Sequence, residues 1–194
     1  TGQKEVLEQQ FAHYTTHAPK IVTIPVGSVD ELTKPQESRK PFSLITASRL
    51  AKEKHIDWLV KAVIEARKEI PELTFDIYGS GGEDSLLRDI ITTHQAEDYI
   101  QLKGHAELSQ IYSRYEVYLT ASTSEGFGLT LMEAISSGLP LIGFDVPYGN
   151  QTFIEDGKNG YLIPSSSDHV EDEIKKAYAC LLYTSPSPRD RTRS

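Results

Sequence analysis

Cysteine, tryptophan and methionine are nearly absent from this 194-residue chain, which has one of each. A single thiol excludes an internal disulfide, and it excludes a zinc site built from several cysteines. The six histidines are scattered along the chain without the spacing of metal ligands, and no Asp-x-Asp motif is present. We therefore expect no bound metal.

Long apolar runs and an excess of positive charge are also lacking. No stretch of 18 apolar residues occurs, so a membrane-spanning helix is not expected. The net charge is −8 and no basic stripe is present, which argues against nucleic acid as a partner. The hydrophobic content of 38% and the charged content of 25% are ordinary for a soluble globular domain with one core.

The residues numbered 180–194 differ in character from the rest of the chain. They begin Cys-Leu-Leu-Tyr-Thr-Ser-Pro-Ser-Pro-Arg-Asp, which resembles one reading frame of a transposase-type sequencing adapter. The segment interrupts an amphipathic helix that we predict from about Asp168 to Ala179. We interpret it as an artefact and leave it out of the fold prediction, the alternative being a natural Ser/Pro-rich tail.

Strand-like apolar runs alternate with helical patterns from residue 42 onward. The predicted strands are Phe42–Ala47, Thr74–Tyr78, Tyr99–Leu102, Val117–Thr120, Leu141–Phe144 and Gly160–Ile163. The clearest helical pattern is His55–Ile70, and shorter ones cover Ser85–His94 and Leu108–Tyr115. This alternation predicts an α/β fold, a doubly wound parallel sheet of the Rossmann-like kind with helices on both faces.

Ligands of such sheets bind at the carboxyl ends of the strands. The loops that follow the first five strands are therefore expected to share one rim. They are Ser48–Lys54, Gly79–Glu83, Lys103–Ala106, Thr123–Gly128 and Asp145–Asn150.

The stretch around Gly126–Gly128 carries the most chemical information. The pattern predicts a strand at Val117–Thr120, then a tight turn at these glycines, then a short helix from about Leu129 to Ser136. This geometry presents backbone N–H groups to a phosphate at the start of a helix. Glu125 and Glu133 flank the turn, and carboxylates suit sugar hydroxyls while they repel phosphate. The stretch therefore indicates a site for a sugar nucleotide.

Two other nucleotide-binding motifs can be compared with the sequence. Gly79-Ser80-Gly81-Gly82 follows a strand, but a dinucleotide fingerprint requires a third glycine at the position of Asp84. No Gly-x-x-x-x-Gly-Lys-Ser/Thr segment exists, so the chain is not a P-loop protein.

Five motifs taken in order resemble the donor-binding half of family 4 retaining glycosyltransferases. They are Arg-Leu-x-x-Glu-Lys at 49–54, Tyr-Gly-x-Gly at 78–81, Leu-x-Gly at 102–104, Glu-x7-Glu at 125–133 and Ile-Glu-Asp-Gly-x-Asn-Gly at 154–160. The resemblance covers about residues 15–179 and implies the C-terminal half of a GT-B enzyme. It implies that residues 1–19 are the end of a preceding domain and a hinge, and that 20–179 form the nucleotide-sugar-binding domain.

The same resemblance assigns roles to individual residues. Arg49 and Lys54 match the cationic pair that neutralises the donor diphosphate as the sugar leaves, a step that requires fixed positive charge. Glu125 matches the carboxylate that contacts the donor sugar, so Arg49, Lys54 and Glu125 are the expected catalytic residues. Glu133 matches the carboxylate that holds the ribose. The remaining expected donor-binding residues are Gly104, His105, Ala106, Gly126, Phe127, Gly128, Leu129 and Thr130. The resemblance implies no cofactor and no metal.

Two subgroups of the family resemble the sequence more narrowly, at residues 48–55 and 145–154. The first contains the A subunits of bacterial transferases that add GlcNAc to Ser/Thr-rich adhesins, and it implies UDP-GlcNAc, a Ser/Thr-rich protein acceptor and a B subunit. The second contains the poly(glycerol-phosphate) α-glucosyltransferases, and it implies UDP-glucose and a membrane-linked polymer.

Both subgroups imply a cytoplasmic enzyme, and peripheral association of that enzyme with a membrane is compatible with either. A non-enzymatic alternative is a degenerate partner subunit, although Arg49, Lys54, Glu125 and Glu133 are all present. Because a GT-B site lies between two domains, we expect this domain alone to bind nucleotide without transferring sugar.

Overall fold

The computed structural model describes residues 39–123, 128–146, 149–164, 172–174 and 176–178. All of these residues belong to one compact unit of the chain. The predicted domain boundaries after residues 19 and 179 lie outside the described residues.

Strands and helices alternate along the described residues, as the sequence predicts. In chain order they are β1 (Ser43–Ala47), α1 (Ile56–Arg67), β2 (Thr74–Tyr78), α2 (Asp84–Thr93), β3 (Ile100–Gly104), β4 (Val117–Thr120), α3 (Leu129–Ser136), β5 (Leu141–Phe144), α4 (Gly149–Phe153) and β6 (Gly160–Ile163). Two 3-10 turns lie at Lys52–Lys54 and Tyr112–Arg114. Residues 172–174 and 176–178 are helical, within the predicted C-terminal helix.

The strands form one parallel sheet in the order β3-β2-β1-β4-β5-β6. In register, Ser43 of β1 lies opposite Thr74, and Leu44 lies opposite Val117. The chain first winds outward from β1 to β3 and then returns to the other side of β1 with β4. The prediction of a doubly wound sheet is therefore confirmed, and its switch point lies between β1 and β4.

Buried side chains cover both faces of the sheet because successive residues of a strand point to opposite sides. Leu44 packs with Leu59 of α1 and Leu87 of α2 on one face. Ile45, the next residue of β1, packs with Leu131 of α3 on the other face. This two-sided burial explains why the central strands are almost wholly apolar.

Two local elements differ from prediction. The segment Leu108–Tyr115 was expected to be a helix but forms only the 3-10 turn Tyr112–Arg114. Its backbone forms mainly i→i+3 hydrogen bonds, from Ile111 N to Leu108 O, from Arg114 N to Ile111 O and from Tyr115 N to Tyr112 O, which is the 3-10 pattern. Conversely, helix α4 begins in a segment that was expected to be a loop. There Asn150 is fully buried, and its Nδ2 donates to the Phe144 carbonyl at 2.9 Å.

Candidate functional site

Backbone hydrogen bonds join the loops beyond the carboxyl ends of β1, β2 and β3. They are Ser48 N to Tyr78 O at 3.1 Å, Leu50 N to Ser80 O at 3.0 Å and Gly79 N to Gly104 O at 2.8 Å. These bonds continue the sheet pattern past the ends of the strands. The three loops consequently form one connected rim, as the positions of the strands predict.

Two glycines of the Tyr-Gly-x-Gly motif make this rim possible. Gly79 has a φ of +132°, and a Cβ on it would lie 1.8 Å from the Ser48 carbonyl oxygen. A Cβ on Gly81 would lie 2.3 Å from the Leu50 carbonyl oxygen. Both distances are far inside van der Waals contact, so the motif needs glycine to let the β1 and β2 loops approach each other.

A cavity of about 280 Å³ opens at the rim. Its lining comes from the β1, β2 and β3 loops and from the first turn of α3, and comprises Ala47, Ser48, Arg49, Tyr78, Gly79, Ser80, His105, Ala106, Leu108 and Thr130. Because α3 follows β4, the cavity spans the switch point where ligands of such sheets bind. Four of the predicted site residues, Arg49, His105, Ala106 and Thr130, are brought together here.

The predicted cationic pair is divided between two environments. Arg49 lines the cavity, its side chain is 78% exposed, and its Nη2 lies 3.0 Å from Glu53 Oε1. An exposed pair of this kind contributes only about 0–1 kcal/mol, so Arg49 can exchange Glu53 for another anion at little cost. Lys54 is half-buried in the 3-10 turn and is not among the residues that line the cavity.

The first turn of α3 lies at the site. Gly128 precedes the helix with a φ of 71° in the left-handed region, and as a glycine it has no side chain with which to cap the helix. Leu129 is 52% exposed, and Thr130 lines the cavity. The backbone N–H groups of this turn lie at the positive end of a helix dipole. The predicted site residues Glu125, Gly126 and Phe127 lie outside the described residues.

Glu133 lies one turn further along α3 and does not line the cavity. The hydroxyl of Tyr112 donates to its Oε2 at 3.1 Å. Burial raises the pKa of the Tyr112 hydroxyl, with smaller contributions from Tyr118 and Glu133, so the group stays protonated and acts as a donor. Gly104 also lies outside the cavity lining, and its carbonyl oxygen accepts the rim bond from Gly79.

Sequence reasoning assigned no role at the site to Tyr118, and it included Tyr78 only as part of the Tyr-Gly-x-Gly motif. The buried Tyr118 hydroxyl lies 2.9 Å from the Ala47 carbonyl oxygen and 3.0 Å from Thr130 Oγ1. It therefore connects the end of β1 to the start of α3 across the switch point. Tyr78 lines the cavity as the last residue of β2, and this position directly before the Gly79 turn was the signal available in the sequence.

Two classes of feature are not found among the described residues. No group of three or more His, Cys, Asp or Glu side chains there could hold a metal ion. No helix in the same ranges has both the length and the hydropathy that crossing a membrane requires.

Comparison with known sequences places this chain in a family. The family profile described as "Glycosyl transferases group 1" matches residues 29–185. The chain is 85% identical over 184 residues to the UDP-N-acetylglucosamine–peptide N-acetylglucosaminyltransferase GtfA subunit of Streptococcus pneumoniae, which covers 93% of this chain and 37% of the relative. It is 38% identical over 125 residues to the poly(glycerol-phosphate) alpha-glucosyltransferase of Bacillus subtilis, covering 63% of this chain and 18% of the relative.

Solved structures give the same result. The pneumococcal O-GlcNAc transferase GtfA in complex with UDP and GlcNAc matches with a TM-score of 0.85 and 81% identity, over 99% of this chain and 37% of that one. A GtfA/B complex matches with a TM-score of 0.78 and 64% identity, over 98% of this chain and 38% of that one. The chain thus spans little more than a third of the length of these relatives. From the length of the profile match and these identities, the chain belongs to the glycosyl transferases group 1 family.

Proposed function

We propose that this chain is the donor-binding domain of a retaining glycosyltransferase and that its rim cavity receives the nucleotide part of a UDP-sugar. One observation carries the proposal: Arg49, His105, Ala106 and Thr130 converge on one cavity from two loops and a helix start. These residues supply a cation, polar contacts and helix N–H groups, which are the groups that a nucleoside diphosphate needs.

Stabilisation of the leaving diphosphate is the proposed chemical task of the positive groups. Arg49 leaves Glu53 and binds a phosphate oxygen with its planar guanidinium. Lys54 reaches the same phosphates from its adjacent turn on a flexible stem. Together with the α3 N-terminus they balance the charge that develops as the glycosidic bond breaks, the role that a metal has in other transferases. We accordingly propose that the reaction needs neither a metal nor a cofactor.

The carboxylates and backbone groups have the proposed task of holding the sugars. Glu133 binds ribose hydroxyls, and Gly104–Ala106 contact the base and ribose. Glu125 contacts the donor sugar in the catalytic step. The backbone of Gly126, Phe127, Gly128 and Leu129 donates to the sugar and phosphate. This division places negative charge at hydroxyls and positive charge at phosphates, as electrostatic complementarity requires.

The proposed donor is UDP-GlcNAc, and the proposed acceptor is a Ser or Thr hydroxyl of a Ser/Thr-rich protein. The support is the 85% identity to the pneumococcal subunit, against 38% over a shorter stretch to the poly(glycerol-phosphate) alpha-glucosyltransferase. UDP-glucose remains the second candidate donor. We further propose that the whole enzyme works in the cytoplasm with a B subunit, in line with the GtfA/B complex.

Isothermal titration calorimetry of the 194-residue chain with UDP, UDP-GlcNAc, UDP-glucose, GDP and NAD tests the proposal. Each ligand is titrated with and without magnesium. We expect UDP compounds to bind without metal and UDP-GlcNAc to bind more tightly than UDP-glucose. Binding of NAD alone, or a strict requirement for magnesium, would contradict the proposed site.

The isolated chain is also expected to transfer no sugar to a Ser/Thr-rich peptide. The catalytic cleft of a two-domain transferase includes groups from both domains, and the chain spans about a third of its relatives. Measurable transfer by the chain alone would contradict this expectation. A complete lack of UDP binding would favour the degenerate-subunit alternative.

A further inference from the structure

A buried hydroxyl lies directly beneath Glu133. Tyr112 is 0% exposed and packs in the apolar cluster that holds Leu131 and Ala134 of α3. Its ring lies 6.1 Å from that of Tyr118, centroid to centroid. The hydroxyl is the polar end of this ring, and it donates to Glu133 Oε2 at 3.1 Å.

The two partners differ sharply in their surroundings. Glu133 is exposed on α3, whereas the ring of Tyr112 is held in place by packing on all sides. A buried hydroxyl without a partner is costly, and a hydrogen bond to a charged group is stronger than one between neutral groups. The buried ring of Tyr112 therefore constrains the exposed carboxylate of Glu133, and not the reverse.

We propose that Tyr112 is a positioning residue that holds Oε2 of Glu133 and leaves Oε1 to accept a ribose hydroxyl of the nucleotide. The proposal rests on the proposed function, in which Glu133 binds the ribose. A glutamate on a helix surface otherwise samples several rotamers, and fixing one of them lowers the entropy lost on binding. Tyr112 thus contributes to the preference for nucleotides that carry ribose hydroxyls, although it does not touch the nucleotide.

The ratio of affinities for UDP and 2′,3′-dideoxy-UDP isolates this effect. If Tyr112 had a purely structural role, removing its hydroxyl would weaken the binding of both ligands alike, because the two share their base and diphosphate. We expect the unmodified chain to prefer UDP by about tenfold or more, the usual contribution of a hydrogen bond to a charged group. In Tyr112→Phe this preference should fall at least about threefold, with dideoxy-UDP affinity unchanged within about twofold.

Tyr178→Phe is the matched control. Tyr178 is also buried, and its hydroxyl also donates to a carboxylate, that of Glu116, away from Glu133 and from the cavity lining. The preference of this variant for UDP should equal that of the unmodified chain. A second control is Tyr112→Phe in a Glu133→Gln background, where removing the hydroxyl should cause no further loss of preference.

The outcomes separate the two proposals. If the unmodified chain binds neither ligand, the proposed function is overturned. If it binds UDP and prefers it, but folded Tyr112→Phe keeps the full preference, only the positioning role is overturned. If Tyr112→Phe does not fold, Glu133→Gln tests the positioning role instead, because Glu133 is exposed and its substitution leaves the core intact. A full preference for UDP in Glu133→Gln would also overturn the role of Tyr112.

Discussion

His55 Nε2 lies 3.2 Å from Thr123 Oγ1, which joins the loop after β1 to the loop after β4. His55 occupies a left-handed conformation, with a φ of 46°, at the start of α1. Its ring stacks on Trp58 with a centroid distance of 4.0 Å. The contact therefore bridges the switch point of the sheet between β1 and β4. In sequence, His55 directly follows Lys54, and Thr123 lies two positions before Glu125.

Replacing Thr123 with valine should weaken UDP binding. The substitution keeps the shape of the side chain but removes the hydroxyl that contacts His55. We expect the dissociation constant for UDP to rise about two- to tenfold, the usual range for a neutral hydrogen bond. Calorimetry measures this change, and Thr92→Val on the exposed side of α2 is the control. Equal affinities in both variants would show that the contact does not support the site.

Substitution of Gly79 by alanine should destabilise the whole domain. A Cβ there would lie 1.8 Å from the Ser48 carbonyl oxygen, at a φ of +132° that only glycine adopts readily. Strain and overpacking together should lower the free energy of unfolding by at least about 3 kcal/mol. Urea unfolding measures the loss.

Gly82→Ala provides the matched comparison in the same loop. Among the described residues, apart from its chain neighbours, no atom would lie within 4 Å of a Cβ at that position. Its free energy of unfolding should therefore stay within about 0.5 kcal/mol of the unmodified chain. A similar loss in both variants would mean that the loop is sensitive to any side chain, and not that the rim bonds require glycine at 79.

Arg49→Ala should weaken UDP binding without lowering stability. The exposed pair with Glu53 contributes little to folding, but a guanidinium bound to phosphate contributes about 1.5–3 kcal/mol to affinity. We expect affinity for UDP to fall about ten- to hundredfold. Arg88→Ala removes another exposed arginine, paired with Asp84 on α2, and should leave UDP binding unchanged. A loss that does not shrink as salt is added would contradict a charge contact.

Glu125→Gln in a full-length transferase should lower turnover far more than nucleotide affinity. The proposed role of Glu125 is to contact the donor sugar during the reaction, whereas UDP carries no sugar beyond its ribose. Steady-state kinetics give kcat, and calorimetry gives the dissociation constant for UDP. Losses of equal size in the two quantities would contradict the assigned role.

Alkaline pH should destabilise the domain through three buried tyrosines. Burial is the largest cause of the raised pKa of Tyr112, Tyr115 and Tyr178, and the carboxylates of Glu133, Asp76 and Glu116 add to it. Unfolded tyrosines ionise near pH 10 while the folded ones stay protonated, so their stabilisation is complete below about pH 10 and falls as the pH rises further. Each tyrosine should contribute a slope of up to about 1.4 kcal/mol per pH unit.

Tyr178→Phe tests the share of one tyrosine in that slope. The Tyr178 hydroxyl donates to Glu116 Oε2 at 3.1 Å, and the same oxygen accepts the Phe42 N–H at 2.8 Å. Urea unfolding between about pH 9 and pH 11 should show a shallower decline in the variant. An unchanged slope would mean that Tyr178 ionises equally in both states.

The sheet could be predicted from sequence because each strand corresponds to a short apolar run in the local sequence. Apolar runs such as Val117–Thr120 and Leu141–Phe144 coincide with the observed strands. Helix α4 could not be predicted, since five residues that include glycine, asparagine and threonine have weak helix propensity. Asn150 of this helix is buried and donates a side-chain hydrogen bond to the Phe144 carbonyl, a contact that no local pattern reveals.

The site was predictable to the level of its loops. The motifs place Arg49 and Thr130 in one site, and the cavity contains both. The supporting bonds from Tyr112 to Glu133 and from Tyr118 to Thr130 link side chains 21 and 12 positions apart. Such pairings depend on the relative position of a 3-10 turn, a strand and a helix, which periodicity alone does not give.

The backbone hydrogen bonds of the rim should make the site as resistant to local unfolding as the sheet itself. Ser48 and Gly79 donate their N–H groups to the last residues of β2 and β3, and Leu50 donates to the loop after β2, as strand residues do to neighbouring strands. Their amides should exchange with deuterium as slowly as those of β1 and β2, because opening the rim requires separating the strands behind it. Denaturant should therefore abolish nucleotide binding in the same transition that unfolds the sheet. The donor pocket and the sheet then belong to one cooperative unfolding unit.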